Sequence, residues 1–184
     1  MAAPKSAALA FPHPTLTKII GKPSYSTLSQ LQKEIYANAR TVHSTRGGGL
    51  NGHLTLVMPA DEYETRTDGV AFDIPTHPGA APTHAGFATP VEIDSINKTF
   101  ERSVNEYEKY HQVSDLLKAL LLVAIDATYT KVLEDTLFGY ADITPLAMMD
   151  HIKRHYGQLK PEERGSIRDA LRAPWNPDDP IEDI

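Results

Sequence analysis

The chain has 184 residues, 41% of them hydrophobic, with eight histidines and no cysteine. The missing thiols exclude disulfides, iron–sulfur clusters, thiol catalysis and every zinc site built on thiolates, including the Cys/His knuckles of nucleic-acid-binding tails. Eighteen basic against 24 acidic side chains leave a net charge of -6, so the chain as a whole is no obvious binder of nucleic acid.

Met1 to Pro14 is small and rich in Ala and Pro and reads as a flexible lead-in, with no apolar stretch long enough for a signal peptide. Charge is uneven beyond it. Residues 1–60 carry six basic side chains (Lys5, Lys18, Lys22, Lys33, Arg40 and Arg46) against Glu34 alone, a net of +5, while 61–90 carry -4 and 91–184 carry -7. Two readings fit: opposite ends that bring subunits together head to tail, or an unevenly solvated surface.

Leu28, Leu31, Ile35 and Val42 recur at helical spacing, and Thr27 with Gln30 has the form of a capping box, so a helix is expected from near Thr27. It should stop before Ser44-Thr45-Arg46-Gly47-Gly48-Gly49. His53 to Met58 reads as a short strand ended by Pro59, and Val70 to Ile74 as its partner ended by Pro75, with a polar loop over 60–69; this predicts a small β-hairpin. Residues 75–90, with four prolines, two glycines and two histidines, read as a linker or extended loop.

The second half reads as helical. Thr89-Pro90-Val91-Glu92 combines an N-cap, proline at the first helical position and a glutamate three residues after the cap. Ile93, Ile96, Phe100, Val104 and Tyr107 then mark one face, and the pattern runs on through Val113, Leu117, Leu120 and Ala124, apolar on more than one side. That stretch is the expected buried centre. At about ten residues, with Lys118 inside it, the run Leu116–Ile125 is half what a bilayer requires. Asp126 caps a short turn of helix to Glu134, with Tyr129 and Leu133 inward. Thr144-Pro145 opens a helix that Gly157 ends, and Lys160-Pro161 opens a last one carrying Ile167 and Leu171. The expected fold is therefore mainly α, divided into a lead-in (1–14), a helix with Gly-rich turn, hairpin and Pro-rich loop (15–88), a helical core (89–173) and an extended tail (174–184).

Motifs for chemistry are missing. Gly47 and Gly52 stand at P-loop spacing, but His53 and Leu54 occupy the positions that need Lys and Ser/Thr, which leaves a flexible turn. His151 and His155 stand at i and i+4 without the glutamate of a zincin helix, and His77 and His84 lie in the Pro-rich loop, so no metal site is expected. No Gly-x-Ser-x-Gly elbow or Ser-x-x-Lys occurs, and the acid pairs Asp61-Glu62 and Asp178-Asp179 fall in expected loops. The expectation is a protein with no catalytic residue, no cofactor and no small-molecule substrate.

Gly139-Tyr140-Ala141-Asp142-Ile143-Thr144-Pro145, then His151 and Tyr156-Gly157, then Pro174-Trp175-Asn176-Pro177-Asp178-Asp179-Pro180-Ile181-Glu182-Asp183, resemble the Gag-like proteins of copia-type LTR retrotransposons. Tyr36-Ala37-Asn38-Ala39, Ser44 to Gly49 and Gly52 to Pro59 resemble the same group, so the likeness runs from about His13 to the C-terminus. It implies a mostly helical, intracellular, cytoplasmic structural protein: a capsid domain that self-assembles as a homo-oligomer into a virus-like shell around RNA. It also implies that RNA is gripped mainly by a basic, knuckle-bearing region that this chain lacks, and no membrane partner is expected. The alternative is a nucleic-acid-binding module using Lys5, Lys18, Lys22, Lys33, Arg40 and Arg46. Trp175, set between prolines, is either an anchor for the tail or a contact with a neighbouring subunit. Tyr110, Phe138 and Tyr140 stay open between core and contact.

Overall fold

The computed structural model describes residues 10–84, 86, 89–158, 164–165, 168–169 and 172. Helix α1 spans Tyr25–Thr41, α2 Ala60–Arg66, α3 Pro90–Ala124, α4 Ala127–Thr130 and α5 Pro145–Tyr156; single 3-10 turns cover Leu54–Leu56 and Lys131–Leu133. The mainly helical class holds.

The hairpin does not form. Residues 54–57 close local bonds, Leu54 N–H to Asn51 O (3.1 Å), Leu56 N–H to His53 O (3.0 Å) and Val57 N–H to Leu54 O (3.1 Å), and so make a 3-10 turn. Leu54, Leu56, Val57 and Met58 are all buried, which a two-stranded ribbon with one solvated face cannot achieve. The expected loop 60–69 is instead largely α2, held to the core by buried Tyr63 and closed by Asp68 and Gly69, both with positive φ. Val70 to Ile74 forms no regular element and has no ladder partner among the described residues, and Phe72 packs against the core.

Capping decides the helix starts. Ser24, not Thr27, caps α1: its hydroxyl accepts the Thr27 N–H, while Thr27 Oγ1 accepts the Ser24 N–H at 2.9 Å. Thr27 is the third helical residue of that box. The caps expected at Thr89 and Thr144 are present, each with proline in the first turn. Helix α3 is one unbroken rod of 35 residues, about 52 Å long at 1.5 Å per residue. Only Val113, Leu117, Leu121 and Ala124 along it are buried; Leu116 and Val123 are exposed, so its last third buries one face rather than several.

The core forms where that third of α3 meets α1 and α5. Leu28, Leu31, Ile35 and Ala39 of α1 and Met148, Met149 and Ile152 of α5 complete it. The 10–23 segment is strapped onto this bundle. Asn38 accepts the His13 N–H (2.9 Å) and donates to the His13 carbonyl (2.8 Å), a side chain that pairs with backbone as a neighbouring strand would. Buried Glu34 accepts the Thr17 N–H (2.7 Å), the Thr17 hydroxyl (2.6 Å) and the Gln30 amide (2.8 Å). Leu16 and Ile19 are buried beneath the strap, so the folded body already includes His13. Residues 1–9 and the tail 174–184 lie outside the described residues. Of the expected last helix only Arg164, Gly165, Arg168, Asp169 and Arg172 are described, all helical.

Candidate functional site

The Gly-rich segment is a built junction and not a phosphate cradle. Gly52 (φ +52°) sits beneath the C-terminal end of α1, where a Cβ would stand 2.3 Å from the Arg40 carbonyl oxygen and 2.6 Å from that of Val42. Only glycine fits there. The next residue uses that proximity: His53 donates its backbone N–H to Ala39 O (2.9 Å), and its Nδ1 lies 3.0 Å from Val42 O. Two carbonyls left over by α1 are thereby satisfied. Burial pushes the His53 pKa down and so favours the neutral ring, and because a carbonyl can only accept, Nδ1–H is the donor to Val42. Gly47 (φ +57°) lies against Tyr63, whose hydroxyl donates to Gly47 O at 3.0 Å.

Around His53 the chain gathers polar and aromatic groups from three segments. Arg46 donates through Nε (2.9 Å) and Nη2 (2.7 Å) to Glu106 of α3 and through Nη1 to Asp73. Thr45 Oγ1 donates to the other Glu106 oxygen (3.1 Å), and Lys109 Nζ to His43 O (2.7 Å). The Arg46 hydrogen bond holds the Glu106 carboxyl below its usual range. Phe72 lies between His53, Tyr63 and Tyr110, with ring centroids 5.8–6.3 Å away. These groups leave a cavity of about 100 Å³ lined by His53, Phe72, Glu106, Lys109 and Tyr110 among others. Its cations are already spent on internal partners, and Ser44, which also lines it, accepts the Arg46 N–H and bonds to no histidine among the described residues. The arrangement staples loop 43–47 and segment 70–75 to the middle of α3.

The six basic candidates separate. Lys18, Lys22, Lys33 and Arg40 are exposed and make no ion pair among the described residues. Lys33 and Arg40, seven residues apart, share the outer face of α1. Arg46 is half-buried and committed to Glu106 and Asp73; Lys5 and Trp175 lie outside the described residues. Sequence spacing missed Asp73 and Glu106, 27 and 60 residues from Arg46, because nothing local announces such partners.

The histidine pair comes together on one face of α5. His151 and His155 have ring centroids 4.5 Å apart, and burial together with the His155 charge lowers the His151 pKa. Among the described residues no three His, Asp or Glu side chains are placed to hold a metal ion. Asp61 and Glu62, expected in a loop, occupy the first turn of α2, where they favour the positive end of the helix dipole. Tyr110 and Tyr140 pack against the core, whereas Phe138 is exposed. No described helix is long and apolar enough to cross a membrane. No known protein family, curated protein or solved structure matches this chain.

Proposed function

We propose that this chain is the shell-building part of a Gag-like protein: copies associate into a closed particle that packages retrotransposon RNA, gripped mainly by a region outside this chain. The resemblance of the ordered run of residues from about His13 onward to copia-type Gag proteins carries the proposal. A mainly helical body and a junction whose polar groups are spent on holding segments together are compatible with it. No catalytic role is assigned. Light scattering at raised salt and protein concentration should show mass growing well beyond the monomer; a strict monomer throughout would reject the proposal.

A second reading rests on Lys18, Lys22, Lys33 and Arg40, four exposed cations that make no ion pair among the described residues. An RNA-binding surface built on them would lose affinity steeply as salt rises. Filter binding with single-stranded RNA at low salt tests it, and no retention there removes it.

A further inference from the structure

His151 and His155 lie outside the buried stripe of a helix that the core holds fixed. Met148, Met149 and Ile152 are buried, which sets the rotation of α5 and leaves His151 partly covered and His155 exposed. The last turn of α5 is ordered from a second side, because Tyr129 of α4 packs edge to face on Tyr156 with ring centroids 5.1 Å apart. Tyr129 also offers its backbone carbonyl to the His151 ring as a hydrogen-bond acceptor. An imidazole with one nitrogen donating to a carbonyl is held in one tautomer, and its other nitrogen keeps its lone pair for a metal ion.

Four residues apart on one helix, the two rings have centroids 4.5 Å apart and planes inclined at 50°. Two imidazole nitrogens bound at about 2.0–2.1 Å in neighbouring positions of one metal ion bring their ring centroids to about 4.5 Å. The match is to ligands at a right angle, as in square-planar or octahedral coordination; a tetrahedral ion sets them somewhat wider. Because His155 is exposed, its ring can turn a nitrogen toward the ion without moving the core.

The surroundings select the kind of ion. Among the described residues no carboxylate joins the pair, and Arg154 brings a positive charge toward His151. Affinity then comes from nitrogen lone pairs and not from opposite charge, which disfavours Mg2+ and Ca2+ and favours the later transition metals, Cu2+ above Ni2+ and Zn2+. The C-terminal end of α5, where His155 lies, is the end of the helix dipole that favours a cation. We propose that His151 and His155 form a two-point chelate for one divalent transition-metal ion, with its remaining positions open to water. This site is independent of the self-assembly reading.

Titration calorimetry of the full chain with Cu2+, in a buffer that does not coordinate metal, tests it. One site per chain should dominate, and a large excess of Mg2+ should not compete. His151→Asn and His155→Asn should each weaken it roughly 100-fold, because losing either ligand forfeits the effective concentration that the helix supplies for the second. His77→Asn with His84→Asn, two histidines of the Pro-rich loop, should leave it unchanged. Electron paramagnetic resonance of the 1:1 complex should show coupling to two imidazole nitrogens, a pattern lost in either single variant. His155→Asn, at an exposed position, should unfold at the same temperature as wild type when no metal is present, which separates a lost ligand from a lost fold. Binding that survives either α5 substitution, that falls equally without His77 and His84, or that is no tighter in wild type than in the variants overturns the site.

Discussion

Arg46 and Glu106 are 60 residues apart in sequence and share two hydrogen bonds, Nε and Nη2 both reaching Glu106 Oε2 at 2.9 and 2.7 Å. Each side chain is about three-quarters covered, so the pair is neither fully screened nor fully desolvated. It pins the Gly-rich loop to α3 at a point where no residue of α3 is buried.

Arg46→Ala should therefore destabilise the fold by about 1–2 kcal/mol, most of it from leaving Glu106 without its partner. The shift in urea midpoint measures this. Arg46→Ala combined with Glu106→Ala should cost less than the sum of the single changes, since the only charge then left without its partner is Asp73, which is exposed to solvent.

Gly52→Ala should be far more harmful than Gly139→Ala. A methyl group at 52 would collide with three carbonyl oxygens of the α1 terminus at 2.3–2.8 Å, whereas at 139 nothing lies within 4 Å and only the positive φ resists. The expected losses are about 3 kcal/mol or more against about 1–2 kcal/mol, read from thermal unfolding of the two variants. Equal losses would mean that Gly52 does not lie against the α1 terminus.

His53 sets a pH dependence near neutrality. Its folded pKa is lowered, by burial first, so the unfolded chain binds this proton more readily than the folded one. The stabilising contribution is complete above the unfolded value of about 6.5 and is lost as pH falls from there toward the folded pKa. Stability measured in steps from pH 8 to pH 5 should decline in that window, and His53→Gln should flatten the decline.

Glu34 acts at lower pH. Burial opposes its charge, yet hydrogen bonds from Thr17 and Gln30 outweigh that and hold the carboxyl below its ordinary range. Its contribution is present above the unfolded value and disappears as pH falls through the folded one, below about pH 4.5. The protection factor of the Thr17 amide against hydrogen exchange should fall in acid together with loosening of the strap. Glu34→Gln should show the faster exchange already at neutral pH.

The sequence discloses elements whose signals are local. The caps at Thr89 and Thr144 specify where α3 and α5 begin, and Gly157 where α5 ends, because each depends on residues within one turn. Leu54-Thr55-Leu56-Val57-Met58 misleads because a short continuous apolar run suits a strand or a fully buried turn equally. Helix α2 is concealed because it has seven residues and buries Tyr63 alone, too little for a periodic signal. Glu34 and Asn38 point inward among the apolar residues of α1, and what they hold, Thr17 and His13, lies 17 and 25 residues away. The Arg46 staple and the Gly52 seat are likewise products of tertiary proximity, which spacing along the chain does not encode.

Self-assembly into a shell is the central claim, and cryo-electron microscopy of the concentrated wild-type protein tests it most directly. Closed particles of repeating subunits are the predicted result. A field of dispersed monomers at every salt and protein concentration would contradict it.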